Sequence, residues 1–298
     1  GRALVNTSGG GFDLMQEGVS LAGMLESPLV INLAQRPGPA TGLPTRTEQG
    51  DLNLALHAGH GEFPRIILAP GNLAEAFYLT QQAFNLADKY QVPVFILSDQ
   101  YLADSYYNLP PFDLSGLKNE RAIVKSDENY QRYRLTDNGL SPRAIPGYGQ
   151  GLVRLDSDEH DENGYITEDL ELRTKMVTKR LRKGELLKEA AIGPELIGSP
   201  DYQTLVIGWG SNKEIVREAL SRLNRHDLAY LHFPQVYPIP PQGIDHLKKA
   251  KEIIALENNA TAQFAQLVRL ATGLAVDKTI LKFDGLPFSV EELEAKLG

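Results

Sequence analysis

The sequence predicts an α/β protein built from two doubly wound units, and three observations carry that prediction. The longest apolar stretches are strand-length: 28–33, 66–69 and 92–97. Segments with helical spacing lie between them, which is the pattern of a parallel sheet covered on both faces. A break rich in glycine and proline, Gly193-Pro194 and Gly198 to Pro200, then precedes a second strand–helix series that starts at Tyr202.

Taken in order, Arg2 to Asn6 reads as a strand that runs into Thr7-Ser8-Gly9-Gly10-Gly11. Asp13 to Leu25 carries Leu14, Val19, Leu21, Ala22 and Leu25, the spacing of a mostly buried helix. Strand 28–33 is followed by an irregular stretch from Gln35 to about Phe63, then by strand 66–69, helix 73–90 and strand 92–98. Helix 73–90 has apolar positions at helical spacing from Leu73 to Tyr90. Periodicity fades between Tyr101 and Gln150. The acidic loop Asp156 to Glu162 precedes a charged helix from about Thr167 to Lys188. The second unit reads as strand 204–208, helix 212–224, strand 228–233, the loop Tyr237-Pro-Ile-Pro-Pro241, strand 252–257 and helix 261–272.

Composition narrows the function. The 298 residues carry a formal charge of −8, which argues against a nucleic-acid partner. No run approaches the ~18 apolar residues of a membrane span, and no secretory signal opens the sequence, so a cytoplasmic protein is expected. There is no cysteine. Disulfides, thiolate catalysis and cysteine-held iron–sulfur clusters are thereby excluded within this chain, and any redox carrier must sit on another polypeptide. Residue 1 is Gly, and a strand begins at once, so residues are expected to precede this sequence.

Four features could carry chemistry. Ser8 to Gly11 joins a strand to a helix, where free N–H groups could hold an anion, but a tight turn needing glycine dihedrals is the reading the residues favour. Gln35 to Thr45 packs three prolines and two glycines beyond a strand end. Its Arg36 offers a planar fork suited to a carboxylate, and Thr41 and Thr45 supply hydroxyls. The acidic loop around His160 could bind a hard cation, but its charges are expected to meet the basic helix instead. Glu257-Asn258-Asn259 ends a strand, where an Asn is expected to cap the next helix. His57 and His60 have no nucleophile or metal partner at a diagnostic spacing.

Several motifs together are specific. Thr7-Ser-Gly-Gly-Gly-Phe12 with Gln16-Glu17-Gly18, then Gln35-Arg-Pro-Gly-Pro-Ala-Thr-Gly-Leu-Pro-Thr45 and Glu48-Gln-Gly-Asp51, resemble the alpha subunit of 2-oxoacid:ferredoxin oxidoreductases, especially the 2-oxoglutarate type. The resemblance continues through Gly61-Glu62, Pro64-Arg65, Leu68-Ala-Pro70, Asp158 to Glu162, Met176, Lys179-Arg180, Glu257 to Asn259 and Gln263, across essentially the whole chain.

The resemblance implies a thiamine-type pyrimidine-binding domain over residues 1–195, with a core at 1–112 and an extension at 113–195. A transketolase C-terminal-like domain would follow over 196–298. It implies oxidative decarboxylation of a 2-oxoacid to acyl-CoA, with coenzyme A as co-substrate and electrons passed to ferredoxin. 2-Oxoglutarate or a relative is the expected substrate; pyruvate, branched-chain and aromatic 2-oxoacids, or a non-catalytic assembly role, are the alternatives. A beta subunit would hold Mg²⁺, the diphosphate of thiamine diphosphate and a [4Fe–4S] cluster, and a gamma domain or subunit is a further possible partner. Arg36 would receive the substrate carboxylate, with Thr45 and Thr41 beside it, while Thr7, Ser8, Gly9, Gly10 and Phe12 would wall the cofactor's pyrimidine ring. This chain departs from the family in carrying Gly10 where a proline is usual, which frees the backbone there. The family's Tyr-Pro-Ile-Thr-Pro segment and its cofactor-activating glutamate would lie upstream of Gly1, so the chain by itself is expected to be inactive.

Overall fold

The computed structural model describes residues 1–298. Ten strands are formed: β1 (Leu4–Thr7), β2 (Leu29–Gln35), β3 (Ile66–Leu68), β4 (Pro93–Asp99), β5 (Glu195–Gly198), β6 (Thr204–Trp209), β7 (Leu228–Phe233), β8 (Gln235–Tyr237), β9 (Glu252–Glu257) and β10 (Lys278–Leu281). The helices are α1 (Gly9–Asp13), α2 (Gln16–Met24), α3 (Leu52–Leu56), α4 (Leu73–Tyr90), α5 (Gln100–Ala103), α6 (Leu170–Glu189), α7 (Asn212–Leu223), α8 (Pro241–Lys249), α9 (Gln263–Thr272) and α10 (Val290–Leu297). They build two five-stranded sheets, ordered β1-β2-β4-β3-β8 and β10-β9-β6-β7-β5. Each is parallel except for one antiparallel edge strand, β8 in the first and β5 in the second.

Strand alternation explains the layers. In β2 and β4, Val30, Val94 and Ile96 face one side and meet Leu79, Ala83 and Ala87 of α4 and Leu187 of α6. Their neighbours Ile31, Leu33, Phe95 and Leu97 face the other side. There they join Leu205, Ile207, Leu231 and Phe233 of the second sheet, with side chains of α1, α2, α3, α8 and α9, in one cluster of 27 buried residues. The outer face of the second sheet, with Val206, Tyr230, Ile254 and Leu256, packs on α7 and α10. Two α/β units therefore share one inner core.

Local capping fixes several helix starts. Asn72 accepts from Glu75 N at the head of α4, and Asp169 accepts from Leu172 N at the head of α6. Ser289 and Glu292 form a reciprocal capping box on α10.

Three expectations are corrected. The single helix over 13–25 is two, because the chain turns at Leu14 and Met15; Leu14 is 90% exposed and has no core position. The interdomain break contains β5, a four-residue edge strand whose flanking Gly and Pro read as loop. The stretch before the proline-rich loop contains β8, which crosses over to pair with β3 of the first sheet.

Candidate active site

Strands β1, β2 and β4 end side by side, with Thr7 opposite Leu33 and Gln35 opposite Asp99. This carboxyl edge is where open α/β sheets bind ligands. Three segments leave it: the 8–13 turn, the 36–46 loop and the short α5.

The glycines after β1 do not form the expected tight turn with glycine dihedrals, because Gly9 to Gly11 are helical with no positive φ. They serve close approach. A Cβ on Gly9 would lie 2.9 Å from Asp51 Oδ2, and one on Gly11 would collide with Thr7 Oγ1, whereas Gly10 faces open space. Thr7 and Ser8 are partly exposed beside them. Phe12 is fully buried, edge-on to Phe95 at 5.6 Å, so its ring anchors the turn to the core.

Arg36 follows directly on β2 and is half-buried. Its Nη2 donates to Ser8 Oγ at 3.3 Å, and no carboxylate pairs with its guanidinium. Two residues predicted from separate motifs thus meet. The loop beyond closes on itself: Leu43 N donates to Pro37 O at 3.1 Å, Arg46 N donates to Leu43 O at 3.1 Å, and Gly42 takes φ +51°. A side chain at Gly42 would overlap the Pro37 carbonyl. Thr41 and Thr45 are exposed on this loop, and neither hydroxyl is engaged within the chain.

Asp51 belongs to the same edge and went unrecognised as a site residue in the sequence. Its N–H donates to Gln35 Oε1 at 3.0 Å, its Oδ2 is buried without a partner, and it stands against Gly9. Burial, then the charge of Asp13, pushes its carboxyl up to about 6. Glu48 is also raised, by burial and by Asp51. The sequence signal was ambiguous, since an Asp before the apolar α3 reads as an N-cap. Asp51 holds that position but makes no capping bond.

The second unit closes the base of the site. Gln49 is 1% exposed, and its Nε2 donates to Trp209 O at 2.8 Å. Glu257, at the end of β9, accepts from Phe264 N, Ala265 N and Asn259 Nδ2. The Asn cap expected at α9 is corrected: its N-cap is Ala262, with no side-chain cap bond, and Glu257 takes the first-turn N–H groups of Phe264 and Ala265, while Asn259 Oδ1 accepts from Thr261 N and Gln263 N.

The remaining candidates lie elsewhere. In the acidic loop, Glu159 pairs with Arg173 and Arg180 of α6. His160 is buried with its ring 3.7 Å from that of Tyr133, and burial lowers its pKa. Glu162 accepts from Leu135 N, so this loop spends its charges on its own surroundings. No three His, Cys, Asp or Glu side chains converge as metal ligands would. His57 is exposed, and His60 pairs only with exposed Glu17. A cleft of about 1000 Å³ between α6, α8, α9 and residues 56–65 is lined by none of the residues at the β1–β2–β4 edge.

Comparison with known proteins assigns the chain to a family. The family model described as "Pyruvate flavodoxin/ferredoxin oxidoreductase, thiamine diP-bdg" matches residues 1–179. The alpha subunit of 2-oxoacid:ferredoxin oxidoreductase 1 from Sulfurisphaera tokodaii is 42% identical over 306 aligned residues, covering 99% of this chain and 48% of that subunit. The chain belongs to the alpha-subunit family of the 2-oxoacid:ferredoxin oxidoreductases. It spans about half the length of the Sulfurisphaera subunit. The 2-oxoglutarate synthase subunit KorA of Methanocaldococcus jannaschii is 31% identical over 98% of this chain and 79% of its own length. The solved 2-oxoglutarate:ferredoxin oxidoreductase of Magnetococcus marinus, described with 2-oxoglutarate, coenzyme A and succinyl-CoA bound, superimposes with a TM-score of 0.93 at 32% identity, over 99% of this chain and 52% of that one. Transketolase of Campylobacter jejuni, at 10% identity and a TM-score of 0.51 over 99% of this chain and 35% of its own, shares the fold alone.

Proposed function

We propose that this chain is the substrate-receiving part of an enzyme that oxidatively decarboxylates a 2-oxoacid to its acyl-CoA and passes the electrons to ferredoxin. The observation that carries the proposal is Arg36: a half-buried guanidinium at the ligand-binding edge, with a serine hydroxyl as its partner and no carboxylate to neutralise it. A 2-oxoacid carboxylate supplies the missing anion, and the planar fork favours bidentate contact. Thr45 and Thr41 offer free hydroxyls from the same loop.

The residues present fit one end of thiamine diphosphate. Asp51 Oδ2 is a buried carboxyl oxygen without a partner, and Gly10 faces open space that a flat ring could take beside Thr7 and Ser8, with Phe12 behind them. No converging ligand set for Mg²⁺ and no cysteine for a cluster is found on this chain, so the diphosphate, Mg²⁺ and the [4Fe–4S] cluster fall to a beta subunit in this reading. When bound, thiamine diphosphate supplies the carbanion stabilisation that decarboxylation of a 2-oxoacid requires. This chain's residues bind and orient: Arg36 fixes the substrate carboxylate, and Ser8 keeps the guanidinium turned toward the edge. Residues 1–195 serve as the pyrimidine-side domain and 196–298 as the transketolase C-terminal-like domain. The expected substrate is 2-oxoglutarate or a related 2-oxoacid, and the expected setting is cytoplasmic.

The test is co-production of the complete protein with its partner subunit. Dye or ferredoxin reduction that requires both a 2-oxoacid and coenzyme A is the expected result. A purified complex that reduces neither with any 2-oxoacid tested contradicts the proposal.

A further inference from the structure

The 36–46 loop has little to hold it internally. Its backbone bonds are Leu43 N to Pro37 O and Arg46 N to Leu43 O, and its threonine hydroxyls are free. Its position is therefore set by its two roots. At the first root, Gln35 belongs to β2 and its Nε2 donates to Ser98 O at 3.2 Å. The second root, residues 47–53, is tied to the other unit of the protein.

Gln49 is the centre of that attachment. Its N–H donates to Asn258 O at 2.6 Å, and its carbonyl accepts from Asn259 Nδ2 at 3.2 Å. Its side-chain Oε1 accepts from Asn212 Nδ2 at 2.9 Å and from Asn258 N at 3.0 Å, while Nε2 donates to Trp209 O at 2.8 Å. These bonds reach the ends of β6 and β9 and the first residue of α7, all in the second unit. The approach is close enough that a Cβ on Gly210, at φ +61°, would lie 2.6 Å from Gln49 Nε2. A ring of contacts then returns to the loop. Asn258 Nδ2 donates to Leu286 O at 3.2 Å, and Thr47 N donates to Gly285 O at 3.1 Å. Gly285 packs so near Leu43 and Arg46 that an added Cβ would lie 3.0 Å from Leu43 Cδ1.

We infer that Gln49 is a positioning residue for substrate binding: it clasps the 36–46 loop to the second sheet and so fixes where Arg36 and Thr45 stand. A buried apolar residue would fill the same volume without fixing a register, whereas an amide with each polar atom paired accepts one arrangement only. The inference rests on the reading of Arg36 as the carboxylate receptor. It assigns to the second unit a share in substrate affinity, exerted through the loop.

The test is Gln49→Glu in the assembled enzyme, beside Arg36→Met. Glutamate keeps the size and the acceptor for Asn212 and Asn258, but sets an oxygen against Trp209 O. The KM for the 2-oxoacid should rise about tenfold, within the ~10²-fold that an ångström-scale misplacement can cost. The kcat and the KM for coenzyme A should stay within about twofold. Lowering the pH, which protonates the new carboxyl and restores a donor to Trp209 O, should bring the 2-oxoacid KM back toward the parent value. A lower Tm with an unchanged 2-oxoacid KM overturns the inference, since Gln49 would then serve stability alone. If Arg36→Met raises KM and Gln49→Glu does not, the clasp is wrong and the Arg36 reading stands. If Arg36→Met leaves KM unchanged, both fall. Should Gln49→Glu fail to assemble, Asn212→Ala, which removes one donor to Gln49 Oε1, carries the test, with about a threefold rise in KM expected and an unchanged KM overturning the inference.

Discussion

Two arginine- or lysine-bearing regions of the molecule treat charge in opposite ways. At the carboxyl edge of the first sheet, Arg36 has a hydroxyl for a partner and no carboxylate, and nearby Asp51 keeps a buried oxygen unbonded. At the opposite end of the same sheet, beyond α2, Glu26 is 1% exposed and clamped between Lys179 and Lys183 of α6. Arg132 closes that cluster by donating to the carbonyls of Leu25 and Glu26. The second region has its carboxylate matched by two lysines, and it ties Arg132 and α6, both in the 113–195 extension, to the residues just before β2. The first is incomplete, and a charge left unmatched at a ligand-binding edge is one that a ligand can match. Here charge met by opposite charge holds structure together, and a guanidinium with no carboxylate marks the candidate site.

That contrast predicts different losses. Glu26→Gln leaves two buried lysines uncompensated and should lower stability by about 3–5 kcal/mol, measured by denaturant unfolding. Burial alone would raise the Glu26 pKa, but Lys183, Lys179 and Arg132 override it and hold the carboxyl at about 2. A carboxyl depressed from 4.5 to about 2 contributes stability that is present above 4.5 and lost as the pH falls through 2. The parent protein should lose stability across that interval, and Glu26→Gln should show a flatter profile. An equal slope in both would place the cluster outside the acid transition.

Arg36→Met should do the reverse, with stability nearly unchanged and activity lost. Truncating a desolvated charge-assisted pair costs roughly 2–5 kcal/mol, so kcat/KM in the complete complex should fall about 30- to 4,000-fold. Arg36→Lys should recover part of it, because lysine keeps the charge and loses the fork. Activity of Arg36→Met within about threefold of the parent would remove this residue from the site.

Asp51→Asn sharpens the comparison further. A carboxyl raised from 3.8 to about 6 costs the folded state once it ionises, so the parent loses stability as the pH rises from 3.8 through 6. The amide variant should be more stable at pH 8 by on the order of 1 kcal/mol, discounted for the partial exposure of Asp51, and no more stable at pH 3. A gain of equal size at both pH values would mean that charge is not its cause. The smallest effect is expected from Thr45→Val, which removes one hydroxyl from an exposed loop: about a two- to tenfold rise in the 2-oxoacid KM at constant Tm, corresponding to ~0.5–1.5 kcal/mol. No change in KM would leave Arg36 to bind alone.

The central strands were legible because each is a run of apolar, often β-branched residues bounded by loop formers; β7 (228–233) and β9 (252–257) begin and end where the pattern does. Three of the four edge strands were not, β1 being the exception. β5, β8 and β10 have three or four residues each, and β5 and β10 carry exposed positions, so nothing in their sequence marks them until a neighbour pairs with them. The turn at Leu14 was hidden because an exposed leucine has the same spelling as a buried one. α10 was passed over although Ser289 and Glu292 spell its capping box. In the candidate site, Arg36 stands out in the sequence by its setting of prolines and glycines. Asp51 and Gln49 do not, because their meaning comes from partners at Gly9, Trp209, Asn212 and Asn258, remote in sequence.

The most direct measurement is a crystal or cryo-electron-microscopy structure of the complete complex with a 2-oxoacid bound. The account predicts the substrate carboxylate on the Arg36 guanidinium in a paired contact of about 2.7–2.9 Å, with the 36–46 loop placed as it is here. A substrate carboxylate held by another cation, with Arg36 beyond the ~6 Å at which a charge still acts directly on its neighbour, would contradict it.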